Sequence, residues 1–163
     1  MQEYLFVSWN PDSRIDSEMH MVTLLASLRS EFRHGEFEVS DCRQLRRVVL
    51  SEVPQAYGVY VIHTVGEDGR NLVYIGKAGT LKSDGKFCEQ NLRGRMTNKQ
   101  GGVPRAEFFA KKMANAYSNS LHFEWFAENI DGKQRFLPFF VEAQLLAAYF
   151  TENRCLPPWN LRA

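Results

Sequence analysis

The chain has 163 residues, of which 44% are hydrophobic and 24% charged, enough for one domain with a buried core and too apolar for a disordered or fibrous chain. Its 20 Lys and Arg nearly cancel its 19 Asp and Glu, leaving a formal charge of +1, so a polyanionic partner has to be met by a local patch rather than by the field of the whole molecule.

The opening residues MQEYLFVSWNPDSR lack the basic start and apolar stretch of a secretion signal. Asp16 or Ser17 is positioned to cap a helix through MHMVTLLASLRSEF, and Ser40 or Asp41 a second through CRQLRRVVL, with Gly35 between them. Residues 1–55 therefore read as a helical accessory segment, followed by a core over residues 56–163, the whole forming one compact domain. In the second helix Arg43, Arg46 and Arg47 fall at i, i+3 and i+4 and share a face, which suits either phosphate contacts or simple solvation.

From Tyr57 the pattern changes to β-branched and aromatic runs. YGVYVIHTV and NLVYIG flank GEDGR, whose Asp68-Gly69 pair signals a hairpin, and LHFEWFAE supplies a third strand before an Asp131-Gly132 turn. Two helices, Phe87 to Asn98 and Pro104 to Tyr117, are expected between the second and third strands. Pro138 opens a last helix, FFVEAQLLAAYFTEN, which Pro157 and Pro158 bring to an end. Its apolar run, Phe139 to Phe150, is interrupted by Glu142 and Gln144 and too short for a bilayer core, so no membrane partner is expected. Cys42, Cys88 and Cys155 are scattered, with no CxxC pair and no histidine at zinc-binding spacing, which reads as reduced thiols in a cytoplasmic protein.

Charge is unevenly distributed. Between Lys77 and Lys112 nine basic residues face three acidic ones, a local +6, whereas residues 1–57 carry six arginines and nine acids, a local −3. The basic stretch, with Arg93, Lys99 and Arg105 in it, offers local cations for phosphates on one surface, and Arg43 and Arg46 extend that expectation to the N-terminal segment. Glu142 lies in a helix apolar on nearly every side. A buried acid requires a partner, either a cation such as Arg95 or Lys77 or a divalent metal that keeps most of its water. Arg95 lies beside the stripe Cys88, Leu92 and Met96, and helical spacing slightly favours it over Arg93 as the inward-facing arginine.

GVY at 58–60, VYIGKAG at 73–79, NLRGRM at 91–96, VEAQLL at 141–146 and LPPWN at 156–160 occur in one order on a matching frame of elements. Together they resemble the GIY-YIG nuclease superfamily over about residues 56 to 160, and YIGKA resembles the form in its restriction endonucleases. The resemblance implies an α+β fold, a small three-stranded antiparallel sheet flanked by helices, here with an N-terminal helical extension. It implies a Mg²⁺-dependent phosphodiesterase, with Mn²⁺ as a substitute, cutting DNA. By position Tyr60, Tyr74, Lys77, Arg95 and Glu142 are its catalytic set, Glu142 the metal ligand and Asn160 an orienting residue. The hairpin between Tyr60 and Tyr74 is longer than the usual one, and Lys99 stands where the family often has histidine. With no separate DNA-binding domain visible, a two-fold dimer cutting both strands is expected. A non-catalytic nucleic-acid-binding module of the same fold is the alternative.

Overall fold

A computed structural model describes residues 20–127 and 137–161. The expected caps at Asp16 and Ser17 and the Asp131-Gly132 turn lie outside these residues. Helix α1 (Met21–Glu31) leads into strand β1 (Arg33–Val39); a single 3₁₀ turn (Cys42–Gln44) then precedes α2 (Leu45–Glu52). Asp41 caps that turn by accepting from the Arg43 backbone N–H, as its place before the run suggests. Strands β2 (Gly58–Gly66) and β3 (Gly69–Ala78) form the expected hairpin around a two-residue turn, with Gly69 at φ 102°. They are followed by a minor hairpin, β4 (Thr80–Leu81) and β5 (Phe87–Cys88), and by α3 (Leu92–Thr97). A second minor hairpin, β6 (Lys99–Gln100) and β7 (Val103–Pro104), leads to α4 (Arg105–Asn115), β8 (Ser120–Ala127) and α5 (Pro138–Asn153).

The fold is α+β, and its main sheet has four antiparallel strands in the order β1-β8-β2-β3, not three. The added strand is β1, so the N-terminal segment is not wholly helical: RHGEFEV pairs with β8 from Arg33↔Ala127 to Val39↔Leu121. Gly35 does lie between the two helices, but within a strand. It faces Trp125, whose Cζ2 would lie 2.5 Å from a Cβ built there, so glycine makes room for an indole in a strand.

Both faces of the sheet are covered. Tyr60, Ile62, Tyr74 and Phe123 pack with α2, α3, α4 and Trp159, while Val59, Val61, Ile75 and Phe126 pack with α1 and α5. That double cover explains why GVYVI is an unbroken apolar run. It also buries the polar residues of the third expected strand, His122 and Glu124. Glu124 accepts from Arg29 Nε and Nη2 of α1 at 2.6 and 2.8 Å, and His122 Nε2 lies 3.1 Å from Glu36 Oε2 of β1. Opposite His122 stands His63, whose imidazole is lowered to about 4, chiefly by burial and then by His122; Arg70 and Arg29 also lower it, and Glu124 opposes. Since the unfolded chain binds a proton near 6.5 and the folded one only near 4, stability is full above that range and is lost as pH falls through it. The expected loss is on the order of 2 kcal/mol. Urea titrations at pH 7.5 and 4.5 check this: His63→Gln should flatten the difference, and identical pH slopes for both proteins would refute it.

Two helices depart from their expected bounds. Phe87 to Asn98 is helical only over α3, because Asn91 accepts from the Gly94 N–H at 3.0 Å and so fixes the start, while Phe87 pairs in β5 and stacks on Tyr57. Helix α4 starts after Pro104, which serves as its N-cap residue, and stops at Asn115. Helix α5, by contrast, covers the expected run and ends at Asn153, with Arg154 in the left-handed region, φ 59°, ahead of both prolines. Among the described residues no helix is long and apolar enough to cross a membrane. Cys42, Cys88 and Cys155 are all free.

Candidate functional site

The site is built around Gly76, at the end of the β2–β3 pairing where Tyr60 is opposite Gly76 and Ile62 opposite Tyr74. A Cβ at residue 76 would lie 2.6 Å from Tyr74 Cε1, 2.9 Å from Tyr60 Cζ and 3.0 Å from Tyr60 Oη. The missing side chain is what lets the two phenols fill this space, their rings 5.8 Å apart. Gly76→Ala should therefore push both rings aside and destabilise by about 1–3 kcal/mol. A thermal melt with near-ultraviolet circular dichroism checks it, and an unchanged melt and tyrosine signal would mean that the packing is looser than described.

Strand β3 is an edge of the main sheet, and the tail after α5 covers part of that edge. Trp159 N–H donates to the Val73 carbonyl at 2.9 Å. Asn160 satisfies both backbone groups of Ile75: Oδ1 accepts from its N–H at 2.9 Å and Nδ2 donates to its carbonyl at 2.8 Å. The amide side chain thereby completes an open strand edge next to Gly76, the orienting work expected of it.

On the α3 side, Arg95 is half-buried and its Nε has no hydrogen-bond partner. Its neighbour Arg93 is otherwise engaged, donating from Nε to the Val53 carbonyl at 2.5 Å and so tying α3 to the end of α2. From α5, Glu142 is half-buried and forms no ion pair or hydrogen bond among the described residues. Burial raises its pKa, and Lys77 followed by Arg95 pulls it back. Glu142, Lys77 and Arg95 thus share one electrostatic environment although they come from α5, β3 and α3. Tyr60 has no exposed surface, and its hydroxyl makes no well-formed hydrogen bond among the described residues, with Tyr74 as a weak side-chain partner. Its pKa is raised, first by burial and next by Tyr74, against Arg105 and Arg95, so the phenol is neutral.

The expected nucleic-acid contacts divide. Lys99 on β6 and Arg46 on α2 are exposed, and Arg43 is exposed but holds Asp41 through Nη2 at 2.9 Å. Arg105 is not on the surface: it is 1% exposed, with its guanidinium carbon 5.7 Å from the Tyr74 ring and 5.6 Å from the Phe109 ring. The sequence carried one sign of this, since Arg105 lies four residues before Phe109 and so shares its inward face.

Comparison of the chain with protein-family models, curated proteins and solved structures finds no match. Function is therefore argued from the geometry and the motifs that it assembles. A single half-buried carboxylate is an oxygen donor of the type that Mg²⁺ accepts while keeping most of its water. Among the described residues no group of three or more His, Cys, Asp or Glu converges to form a full protein cage, so any ion held at Glu142 is of that hydrated kind.

Proposed function

We propose that the chain is a divalent-metal-dependent endonuclease that hydrolyses phosphodiester bonds in DNA, leaving 5′-phosphate and 3′-hydroxyl ends. What supports this reading is that Tyr60 and Tyr74 pack against Gly76, Asn160 bonds the adjoining Ile75, and the charges of Lys77 and Arg95 act on Glu142, all in the order of the five motif elements. Hydrolysis requires an in-line water, neutralised phosphoryl oxygens and help for the leaving 3′ oxygen. Arg95 offers a fork of donors to the phosphoryl oxygens. Glu142 is the residue to hold Mg²⁺ or Mn²⁺, with Lys77 adding positive charge on the same side. A metal ion bound there supplies Lewis-acid stabilisation of the leaving oxygen. Tyr60 donates a hydrogen bond and orients rather than abstracting a proton, because burial favours its neutral form. Tyr74, tilted against Tyr60 and lying under the Arg105 guanidinium, holds the phosphate-facing wall in place. Lys99 and Arg46, both exposed, supply tracking contacts to the DNA backbone.

The test is incubation of the purified protein with supercoiled plasmid and phage genomic DNA, in Mg²⁺ or in EDTA, beside Glu142→Ala. Discrete fragments in Mg²⁺ alone, lost in the variant, are expected of a site-specific enzyme acting as a dimer. A nicked smear would indicate weak specificity. DNA that is shifted on the gel but never cut, in either condition, would replace the enzyme with a binding module.

A further inference from the structure

Arg105 is a buried cation to which the catalytic reading gives no task. Its Nη1 and Nη2 are both buried and have no hydrogen-bond partner. Among the described residues this buried guanidinium is met by the faces of Tyr74 and Phe109 and by no carboxylate. Two further buried donors, Arg95 Nε and Tyr60 Oη, make no well-formed hydrogen bond among the described residues, the latter having only a weak contact with Tyr74. They come from α3 and β2, whereas Arg105 opens α4, and the Tyr60 phenol feels both guanidinium charges. The acid of the site does not balance Arg105, for Glu142 is shifted by Lys77 and Arg95. Water would satisfy the hydrogen bonds and leave the charge untouched, whereas an oxyanion does both.

We propose that Arg105, together with Tyr60 and Arg95, forms a buried subsite for a phosphate group, with the Arg105 guanidinium as its deepest donor. This deepens the endonuclease reading and rests on it, since the phosphate is then one belonging to the bound nucleic acid. The pair of guanidinium groups gives the site two forks from separate helices, which grips the phosphoryl oxygens from two directions.

The probe is inorganic phosphate, with sodium chloride at matched ionic strength as the reference, read by thermal melting of the full chain. Arg105→Met keeps the stem in the same apolar surroundings and deletes the uncompensated charge, so it should melt higher than the wild type in chloride. Phosphate should raise the wild-type melting temperature, leave Arg105→Met unchanged and so narrow the gap between them. Arg105→Lys, which keeps the charge and loses the fork, should respond more weakly and serves if Arg105→Met does not fold. In the plasmid assay Arg105→Met should cut at least ~100-fold more slowly. No phosphate response in the wild type, or one that is the same in every variant, overturns the subsite. Equal cleavage by wild type and Arg105→Met overturns it too while leaving the endonuclease standing. Conversely, a phosphate response that depends on residue 105 in a protein that cuts no DNA upholds the subsite and removes the endonuclease reading.

Discussion

Glu142→Gln should abolish Mg²⁺-dependent cleavage, by about 1,000-fold or more, and at the same time make the protein harder to melt at neutral pH. The first effect follows from losing the one carboxylate that can hold the ion, because Lewis-acid stabilisation of the leaving oxygen contributes several kcal/mol to the barrier and ~1,000-fold corresponds to about 4 kcal/mol. The second follows from burial. The carboxyl is raised above its ordinary 4.5 by desolvation, and the opposing pull of Lys77 and Arg95 does not restore it. The folded chain therefore binds more protons than the unfolded chain between 4.5 and that higher value, and stability falls as pH rises through this window. Above it the charged group remains a fixed destabilising element, which the neutral amide of Gln lacks. Melts in EDTA should show Glu142→Gln above the wild type at pH 7, with the two converging below pH ~4. Added Mg²⁺ should raise the wild type alone. A variant that still cuts at the wild-type rate would end the metal assignment, and one that melts lower at pH 7 would show that the carboxylate is paired after all.

What the sequence made legible is the part of the molecule in which local rules and tertiary demands agree. The Asp68-Gly69 turn, the Val and Tyr runs on either side and Asp41 at a helix start act within a few residues, and the structure uses each of them. The β1 strand escaped because its glycine answers to Trp125, ninety residues away in sequence but directly opposite in the sheet. The burial of the polar residues of β8 is equally non-local. His122 and Glu124 are buried only because β1 and α1 bring Glu36 and Arg29 to them, and neither partner is local. In the site, Tyr60, Tyr74 and Gly76 were readable as motifs, whereas Arg105 looked like one more surface cation in a basic stretch. Its spacing to Phe109 marks an inward face, but how deeply it is buried depends on where α4 docks against Tyr74, which no local window contains.

Arg95→Lys should lose about 100- to 1,000-fold in cleavage although it preserves the charge, because a lysine ammonium cannot present the planar fork that binds two phosphoryl oxygens at once. The comparison that gives this meaning is Arg93→Lys. Helical spacing separates the two arginines only weakly, but their surroundings separate them clearly: Arg93 spends Nε on the Val53 carbonyl, whereas Arg95 Nε is buried without a partner and the charge of Arg95 reaches both Glu142 and Tyr60. Arg93→Lys is thus expected to loosen the link between α2 and α3, lowering the melting temperature by the worth of about one hydrogen bond, ~1 kcal/mol, with a much smaller effect on the rate. Arg95→Lys is expected to reverse that order, with a large effect on rate and a small one on melting. Measured side by side on the plasmid and in the calorimeter, the two variants exchange their rankings if Arg95 faces the substrate. If Arg93→Lys proves the more damaging to cleavage, the substrate lies on the other side of α3, and Glu142 would have to be reached by way of the wrong helix face.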